Sequence, residues 1–143
     1  MKKSWLVLSV AVATLSAVNV AKADEYSDCM AKATIDQEIV MCNNAEAARL
    51  MRNLQKRYNA ISSNKYFSSW DDKTLSAAQN FQLLFRQWVD YRDKYCSLYG
   101  FTFTQGQGTL GSVQESQCLI DLTKRFAKDV ESVIDVYNKM AVN

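Results

Sequence analysis

The side chains best suited to covalent or metal chemistry in this 143-residue chain are its four cysteines, since it contains no histidine. In an oxidising compartment, four cysteines indicate two disulfides, which can pair in three ways. A zinc site is the alternative, but such sites usually combine closely spaced cysteines or histidines, and the chain has neither. We therefore predict no metal, no other cofactor, and disulfides at Cys29, Cys42, Cys96 and Cys118.

Helix geometry favours one of the three pairings. Cys29 and Cys42 lie 13 positions apart, which is about 20 Å along a straight helix. A disulfide spans at most roughly 7 Å between Cα atoms, so these two pair only if the chain reverses between them. Cys96 falls late in one predicted helix and Cys118 falls early in the next, and antiparallel helices would bring them together. We predict the pairs Cys29–Cys42 and Cys96–Cys118.

The sequence offers no arrangement of residues for catalysis. Histidine, the commonest general base, is absent. Neither an activated nucleophile nor a phosphate-binding glycine loop can be recognised. The acids that imitate a glycosidase pair fall on predicted helix surfaces, where carboxylates are usually solvated: Asp71, Asp72, Asp90 and Asp93. We predict no catalytic residues and a protein that is not an enzyme.

The first 23 residues are typical of a secretory signal. Lys2 and Lys3 precede an uncharged stretch that includes the 16 residues from Trp5 to Val20, and Ala21-Lys22-Ala23 fits the small-x-small cleavage pattern. The uncharged stretch is too short and too polar for a membrane span. We expect a signal peptide at 1–23 and one domain at 24–143. The product would be periplasmic or secreted, with no stable membrane anchor after cleavage.

Charge argues against nucleic acid as a ligand. Cleavage would leave 14 basic and 15 acidic residues, a net charge of −1, whereas nucleic-acid binding needs a concentrated basic surface. One predicted helix carries a basic stripe, which is either a solvated surface or a contact for an anionic ligand: Arg49, Arg52, Lys56 and Arg57. The solvated surface is the simpler interpretation because scattered surface charge is normal.

Hydrophobic spacing predicts three long helices. Proline is absent, and the four glycines all lie between positions 100 and 111. Apolar residues recur at steps of three and four from Ile39 to Ile61, from Leu75 to Tyr99, and from Leu119 to Met140. Each helix would span about 27 to 29 residues, roughly 40 Å. We predict an all-α antiparallel bundle of about three long helices plus a short N-terminal segment, held by two disulfides.

Residues that favour helix ends place the predicted boundaries. Thr34 with Gln37, and Ser112 with Glu115, fit capping boxes at two helix starts. Ser69 is suited to cap the remaining start. Gly100 is placed where a helix C-terminus favours a residue with positive φ.

The segment from Trp88 to Cys96, WVDYRDKYC, resembles the W-x-x-Y-R-D-x-x-C signature of the LprI-like lysozyme-inhibitor family. Cys29 to Cys42 is similar to that family's N-terminal cysteine region, and Leu54 to Tyr58 to its L-x-x-x-Y segment. Gly106 to Leu122 resembles its glycine-rich loop and second cysteine segment. Two positions differ from the family's usual residues, with Phe85 in place of Gln and Phe126 in place of Arg.

This resemblance implies an exported, helical, disulfide-bonded protein, some of whose relatives block lysozyme. We therefore expect a protein partner, with lysozyme or a related cell-wall hydrolase as the specific hypothesis. The alternative is a non-catalytic envelope adaptor or structural protein that binds another periplasmic component. The sequence leaves the oligomeric state open.

The signature segment has a structural and a functional interpretation. Trp88 and Arg92 share one side of a helix, so we predict that Arg92 is partly buried and paired with an acid such as Glu46 or Asp121. Tyr95 is expected on the same side, while Tyr91 and Asp93 point elsewhere. In the functional alternative, Arg92 and Asp93 form a recognition site. We favour a structural role for the motif residues Trp88, Tyr91, Arg92 and Asp93.

The glycine-rich segment between the second and third predicted helices is the candidate partner-binding loop. Long connections in compact domains are often functional. Phe101 and Phe103 alternate with threonines, so one set could face a partner, or both rings could cap the core. The candidate binding residues are Phe101, Phe103, Gln105 and Gln107.

Overall fold

A computed structural model describes residues 17–62, 77–105 and 108–141, and these residues form four helices and no strand. The helices are α1 Ala17–Lys32, α2 Asp36–Ser62, α3 Ala77–Thr104 and α4 Leu110–Ala141. The last three contain 27, 28 and 32 residues. The predicted all-α bundle of three long helices with two disulfides is confirmed. The predicted connection around Ser69, Asp71 and Asp72 lies outside the described residues.

Side-chain contacts give the direction of each helix. Hydrogen bonds join Asp36 to Thr109 and Asn43 to Ser116, both 73 residues apart. Because residues in contact are the same number of positions apart in the sequence at both contacts, α2 and α4 run parallel. Helix α3 runs antiparallel to α4, since Cys96 bonds to Cys118 while the earlier residue Trp88 stacks on the later Phe126. The three long helices therefore run up, down and up.

The hydrophobic core lies where the later half of α2 meets the start of α3 and the middle of α4. Tyr58 is fully buried, and its ring stacks on Phe81 at a centroid distance of 3.6 Å. Its hydroxyl donates a hydrogen bond to the Phe81 carbonyl oxygen. Burial raises the pKa of Tyr58 because the charged phenolate would be desolvated. The buried core cluster consists of Leu54, Tyr58, Phe81, Phe85 and Val130.

The predicted short N-terminal segment is helix α1, which packs antiparallel on α2. The Cys29–Cys42 disulfide and a 2.8 Å hydrogen bond from the Tyr26 hydroxyl to Asn43 fasten it there. The predicted cleavage point after Ala23 lies within α1, so cleavage would leave residues 24–32 of this helix. Residues 1–16 lie outside the described part of the chain. None of the helices described is long and apolar enough to cross a membrane.

The cap of α2 differs from the predicted one. Glu38, rather than Gln37, reaches back to Thr34, where its Oε2 accepts bonds from the amide nitrogen at 2.7 Å and the hydroxyl at 3.0 Å. These bonds lower the pKa of Glu38. Helix α2 begins at Asp36, which places Glu38 in the first turn, where a carboxylate also favours the helix dipole.

The predicted helix ends at Gly100 and Ser112 are wrong. Helix α3 continues to Thr104, and α4 begins at Leu110, with the Thr109 carbonyl accepting bonds from the amides of Ser112 and Val113. Gln105, with φ 50°, follows the end of α3.

Gly100 instead faces Gly111 where α3 and α4 cross. A Cβ added at Gly100 would lie 2.6 Å from the Gly111 carbonyl oxygen. These glycines allow a close approach of two backbones, so the helix continues through them. A glycine that permits close packing and one that ends a helix look the same in a single sequence.

Candidate protein-binding surface

Both predicted disulfides are present. Cys29 pairs with Cys42 and Cys96 with Cys118, with Cα separations of 5.8 Å and 5.5 Å. The second bond joins α3 to α4 near their connecting turn. Among the described residues, no cluster of histidine, cysteine, aspartate or glutamate could hold a metal ion. The cysteines therefore fix the positions of helices rather than form a reactive centre.

Arg92 is buried, with 8% of its surface exposed, but its partner is not the predicted one. Its Nε and Nη2 atoms donate to Oδ1 of Asp93 at 2.8 Å and 2.6 Å, and Nη1 donates to the Thr123 hydroxyl at 3.2 Å. The acids proposed from sequence are engaged elsewhere: Glu46 accepts from Arg49, and Asp121 accepts from Gln117. Arg92 thus links α3 to α4.

Trp88 completes a stack across the same two helices. Its ring lies parallel to Phe126 at 4.1 Å, and the guanidinium carbon of Arg92 lies 5.4 Å from the Trp88 ring centroid. Phe85 packs beside both rings, 6.2 Å from Trp88 and 6.4 Å from Phe126. The two positions that differ from the family's usual residues, Phe85 and Phe126, therefore meet in one aromatic cluster. This packing supports the structural interpretation of Trp88 and Arg92.

Three tyrosines of α3 form a row outside the core. Tyr91, Tyr95 and Tyr99 are 54%, 43% and 37% exposed, and successive rings lie 5.6 Å and 6.3 Å apart. Tyr91 points away from the core as expected. The prediction that Tyr95 and Tyr99 belong to the buried face is wrong. The residues of this part of α3 that are buried against α4 are Arg92, Cys96 and Gly100. We call Tyr91, Tyr95 and Tyr99 the tyrosine row.

The candidate binding residues occupy the turn between α3 and α4, which is shorter than predicted. Phe101 and Phe103 lie in the last turn of α3, not in an extended loop. Phe101 is 59% exposed, so it does not cap the core. Gln105 is exposed and follows the helix end. Gln107 and the Phe103 side chain lie outside the described residues.

Exposed apolar side chains from two helix starts surround this turn. Leu110 and Ile35 are 49% and 57% exposed. The Thr109 hydroxyl donates a 2.5 Å hydrogen bond to Asp36, which places the start of α2 beside the start of α4. We call Ile35, Phe101, Gln105 and Leu110 the bundle tip. Neither Ile35 nor Leu110 was among the candidate binding residues predicted from the sequence.

The chain around the bundle tip lacks charge over an unusual length. No Lys, Arg, Asp or Glu occurs from Tyr95 to Gln114, although 22% of the whole chain is charged. The segment is instead rich in threonine, glutamine, serine and aromatic residues. This run of 20 uncharged residues is the sequence signal that could have located the surface, and it extends beyond the loop that was predicted.

The tip is held rigidly from beneath. The Cys96–Cys118 disulfide and the close crossing at Gly100 and Gly111 fix α3 against α4 within three turns of the tip. A surface built on such a support loses little conformational entropy when a partner binds. This arrangement is suited to presenting Phe101 and Leu110 in one fixed geometry.

Apart from the bundle tip, a concave region lies between α1 and α2, with a volume of about 340 Å³. Its charges largely cancel, since Arg49 donates two 2.6 Å bonds to Glu46, and Glu25 lies nearby. These bonds raise the pKa of Arg49. Burial, followed by the negative charges of Glu46 and Asp121, raises the pKa of Tyr26. The cleft therefore presents no strong field for an anion.

The predicted basic stripe on α2 is also partly neutralised. Arg49 pairs with Glu46, and Arg57 pairs with Glu131 of α4. Arg52 and Lys56 are exposed. The solvated interpretation of this stripe fits the contacts better than an anion-binding role.

Comparison with known proteins gives one match. The family model described as "Lysozyme inhibitor LprI" matches residues 29–129. The matched region contains both disulfides, the Trp88–Arg92 cluster, the tyrosine row and the bundle tip. No curated protein and no solved structure matches the chain significantly.

Proposed function

Since the chain belongs to the LprI lysozyme-inhibitor family, we propose that it is an exported, non-catalytic protein that binds a lysozyme and blocks it by direct contact. The protein would act in the periplasm or after secretion. The bundle tip would be the contacting surface.

The observation that carries this proposal is the exposed apolar content of a rigid tip whose α3–α4 side carries no charge. Phe101, Leu110 and Ile35 are each about half exposed or more at one end of the bundle. Aromatic and aliphatic anchors at the centre of a contact supply most of the binding free energy in protein interfaces. Exposed apolar groups that share one surface indicate an interaction site.

The polar composition of the tip suits the cleft of a glycan-cleaving enzyme. Lysozymes bind a neutral saccharide between two catalytic carboxylates. Threonine hydroxyls and glutamine amides offer donors and acceptors similar to the hydroxyl and acetamido groups of that saccharide. Gln105 of the tip and the neighbouring Thr102 would form hydrogen bonds in the cleft where the sugar binds, and neither residue brings a carboxylate towards the catalytic pair.

Titration of a purified lysozyme with the oxidised protein tests this proposal. Lysis of a cell-wall suspension by a chicken-type lysozyme is measured while the protein is added from substoichiometric amounts to tenfold excess. We expect inhibition to saturate near one equivalent, and the two proteins to co-elute on gel filtration.

Absence of inhibition at tenfold excess, with no complex on gel filtration, would contradict the proposal for this type of lysozyme. Recovery of a stable envelope partner other than a lysozyme would instead support the adaptor alternative. Reduced and alkylated protein is the control for the fold, since it retains the sequence but loses the crosslink beneath the tip.

A further inference from the structure

The tyrosine row is separate from the bundle tip and has no role in the proposed inhibition. Its members repeat every four residues along α3, so they follow one side of the helix over about 12 Å. The planes of Tyr95 and Tyr99 are within 14° of parallel, and those of Tyr91 and Tyr95 within 29°. The three rings thus form a continuous aromatic strip.

An aromatic strip of this kind has a specific chemical complement. The face of an aromatic ring carries partial negative charge, and weakly polarised C–H groups are attracted to it. Sugar rings present such C–H groups on their flat faces and hydroxyls around their edges. A tyrosine adds a hydroxyl that can bond to those edges.

The charges around the row argue for a neutral ligand. Asp90 and Lys94 flank the row on the exposed side of α3, and they pair with each other at 2.9 Å. Arg92 and Asp93 also pair with each other, at 2.6 Å. After Lys94 the next charged residue is Glu115. Between Tyr91 and Tyr99, each charged residue is therefore paired with a neighbour on α3, which leaves little net charge to attract an anionic polymer.

From these observations we propose that the tyrosine row binds a neutral glycan chain, with sugar rings stacked on Tyr91 and Tyr95. Successive rings 5.6 Å and 6.3 Å apart would contact successive sugar units. This activity does not depend on inhibition of lysozyme. It would hold the protein on a polysaccharide such as the glycan strand of a cell wall.

The test measures binding of chitohexaose, a neutral oligomer of N-acetylglucosamine, to the whole oxidised protein by calorimetry and by amide chemical-shift changes. No lysozyme is present, so the result is separate from the inhibition assay. The decisive variant is Tyr91→Leu/Tyr95→Leu, which keeps apolar surface and helix propensity but removes the rings. Its matched control is Tyr91→Phe/Tyr95→Phe, which keeps the rings.

We expect the wild-type protein and the phenylalanine variant to bind within about threefold of each other, and the leucine variant to bind at least about tenfold more weakly. Shift changes should concentrate between residues 87 and 102. Absence of binding at millimolar sugar would overturn the proposal, and so would equal binding by the leucine variant. If the leucine variant instead loses affinity only for a lysozyme, the row is a protein contact and the glycan proposal is wrong.

Discussion

At the scale of single residues, Arg92 shows how a motif that resembles a recognition site can serve the fold. Its guanidinium bonds to Asp93 and Thr123 and lies over Trp88, so its hydrogen-bonding nitrogens and its face contact the chain itself. Asp93 is exposed, and the Thr123 hydroxyl also donates to the Leu119 carbonyl oxygen at 2.6 Å. Loss of Arg92 would therefore leave neither partner buried and unsatisfied.

We predict that Arg92→Met lowers the free energy of unfolding by about 1–2 kcal/mol, the sum of one buried hydrogen bond and a cation–π contact. Urea unfolding measures this loss. Arg86→Met, at an exposed arginine of the same helix, is the control and should change stability by less than about 0.5 kcal/mol. Unchanged stability of Arg92→Met together with loss of lysozyme binding would show that Arg92 belongs to a recognition site.

The buried phenol of Tyr58 makes the stability of the folded protein decrease at alkaline pH. Burial raises its pKa above the ordinary value of 10.0. In the unfolded chain the phenol ionises near that value, whereas in the folded core it stays neutral. The stabilisation linked to the neutral phenol is therefore complete below pH 10 and is lost as the pH rises further towards the folded-state pKa.

Replacement of Tyr58 by phenylalanine tests this linkage. We expect Tyr58→Phe to show a shallower fall in unfolding free energy between pH 9.5 and 11 than the wild-type protein, measured by urea unfolding at 25 °C. Tyr91→Phe, at an exposed tyrosine, should retain the wild-type slope. A wild-type slope in Tyr58→Phe would mean that another group sets the alkaline limit.

At the scale of helices, hydrophobic spacing predicted the long helices correctly, whereas the residues that favour helix ends did not predict where α3 ends and α4 begins. Spacing at three and four from Ile39 to Ile61, together with the cap at Thr34, placed α2 close to its observed bounds of Asp36 and Ser62, because burial against α4 follows that period. The ends near Gly100 and Ser112 were misplaced by four and two residues. Both errors have one cause: Gly100 and Gly111 are used for close backbone approach, which depends on a tertiary contact that local residue preferences do not contain.

Gly100→Ala tests this explanation of the crossing. A Cβ there would meet the Gly111 carbonyl oxygen at 2.6 Å and the Glu115 Cβ at 2.9 Å, so the helices must separate. We expect a loss of about 2–3 kcal/mol. Gly108→Ala, which meets no atom within 4 Å but has φ 80°, should cost only about 1–2 kcal/mol. If Gly100→Ala stabilises the protein, as at an ordinary helix site, the close crossing is not required.

The candidate site was predicted less completely than the fold. Phe101 and Gln105 were identified from the unusual glycine-rich connection, and both are exposed at the tip. Ile35 was missed because it joins the tip through the Thr109–Asp36 contact, between residues 73 positions apart, which no local pattern contains. Tyr95 and Tyr99 were placed in the core because a helical period cannot separate the centre of a buried face from its edge.

At the scale of the whole molecule, the distribution of charge determines how far electrostatic attraction speeds association with a partner. The stretch from Tyr95 to Gln114 forms the α3–α4 side of the tip and carries no charge. On the α2 side, the Asp36 carboxylate accepts a hydrogen bond from Thr109. Encounter with a cationic lysozyme would therefore gain little from electrostatic steering. Association rates that depend on steering fall by an order of magnitude or more as salt rises.

We therefore predict that the association rate constant for a lysozyme changes by less than about threefold between 50 and 500 mM NaCl, as measured by stopped-flow or biosensor kinetics. An acidic surface that steered the encounter would give a much larger decrease. A tenfold or greater decrease would place the contact on the charged faces of the bundle and away from its tip.

The most direct test of the proposed function compares one double variant and one single variant with the wild-type protein in the lysis assay. Phe101→Ser/Leu110→Ser removes the apolar anchors of the tip without adding charge, and Val136→Ser alters a similarly exposed residue of α4. With all proteins oxidised and equally folded by circular dichroism, we predict that wild-type and Val136→Ser inhibit a chicken-type lysozyme near one equivalent. The tip variant should need at least about tenfold more protein. Equal inhibition by the tip variant, or none by the wild-type protein at tenfold excess, would contradict the proposal that this tip blocks the enzyme.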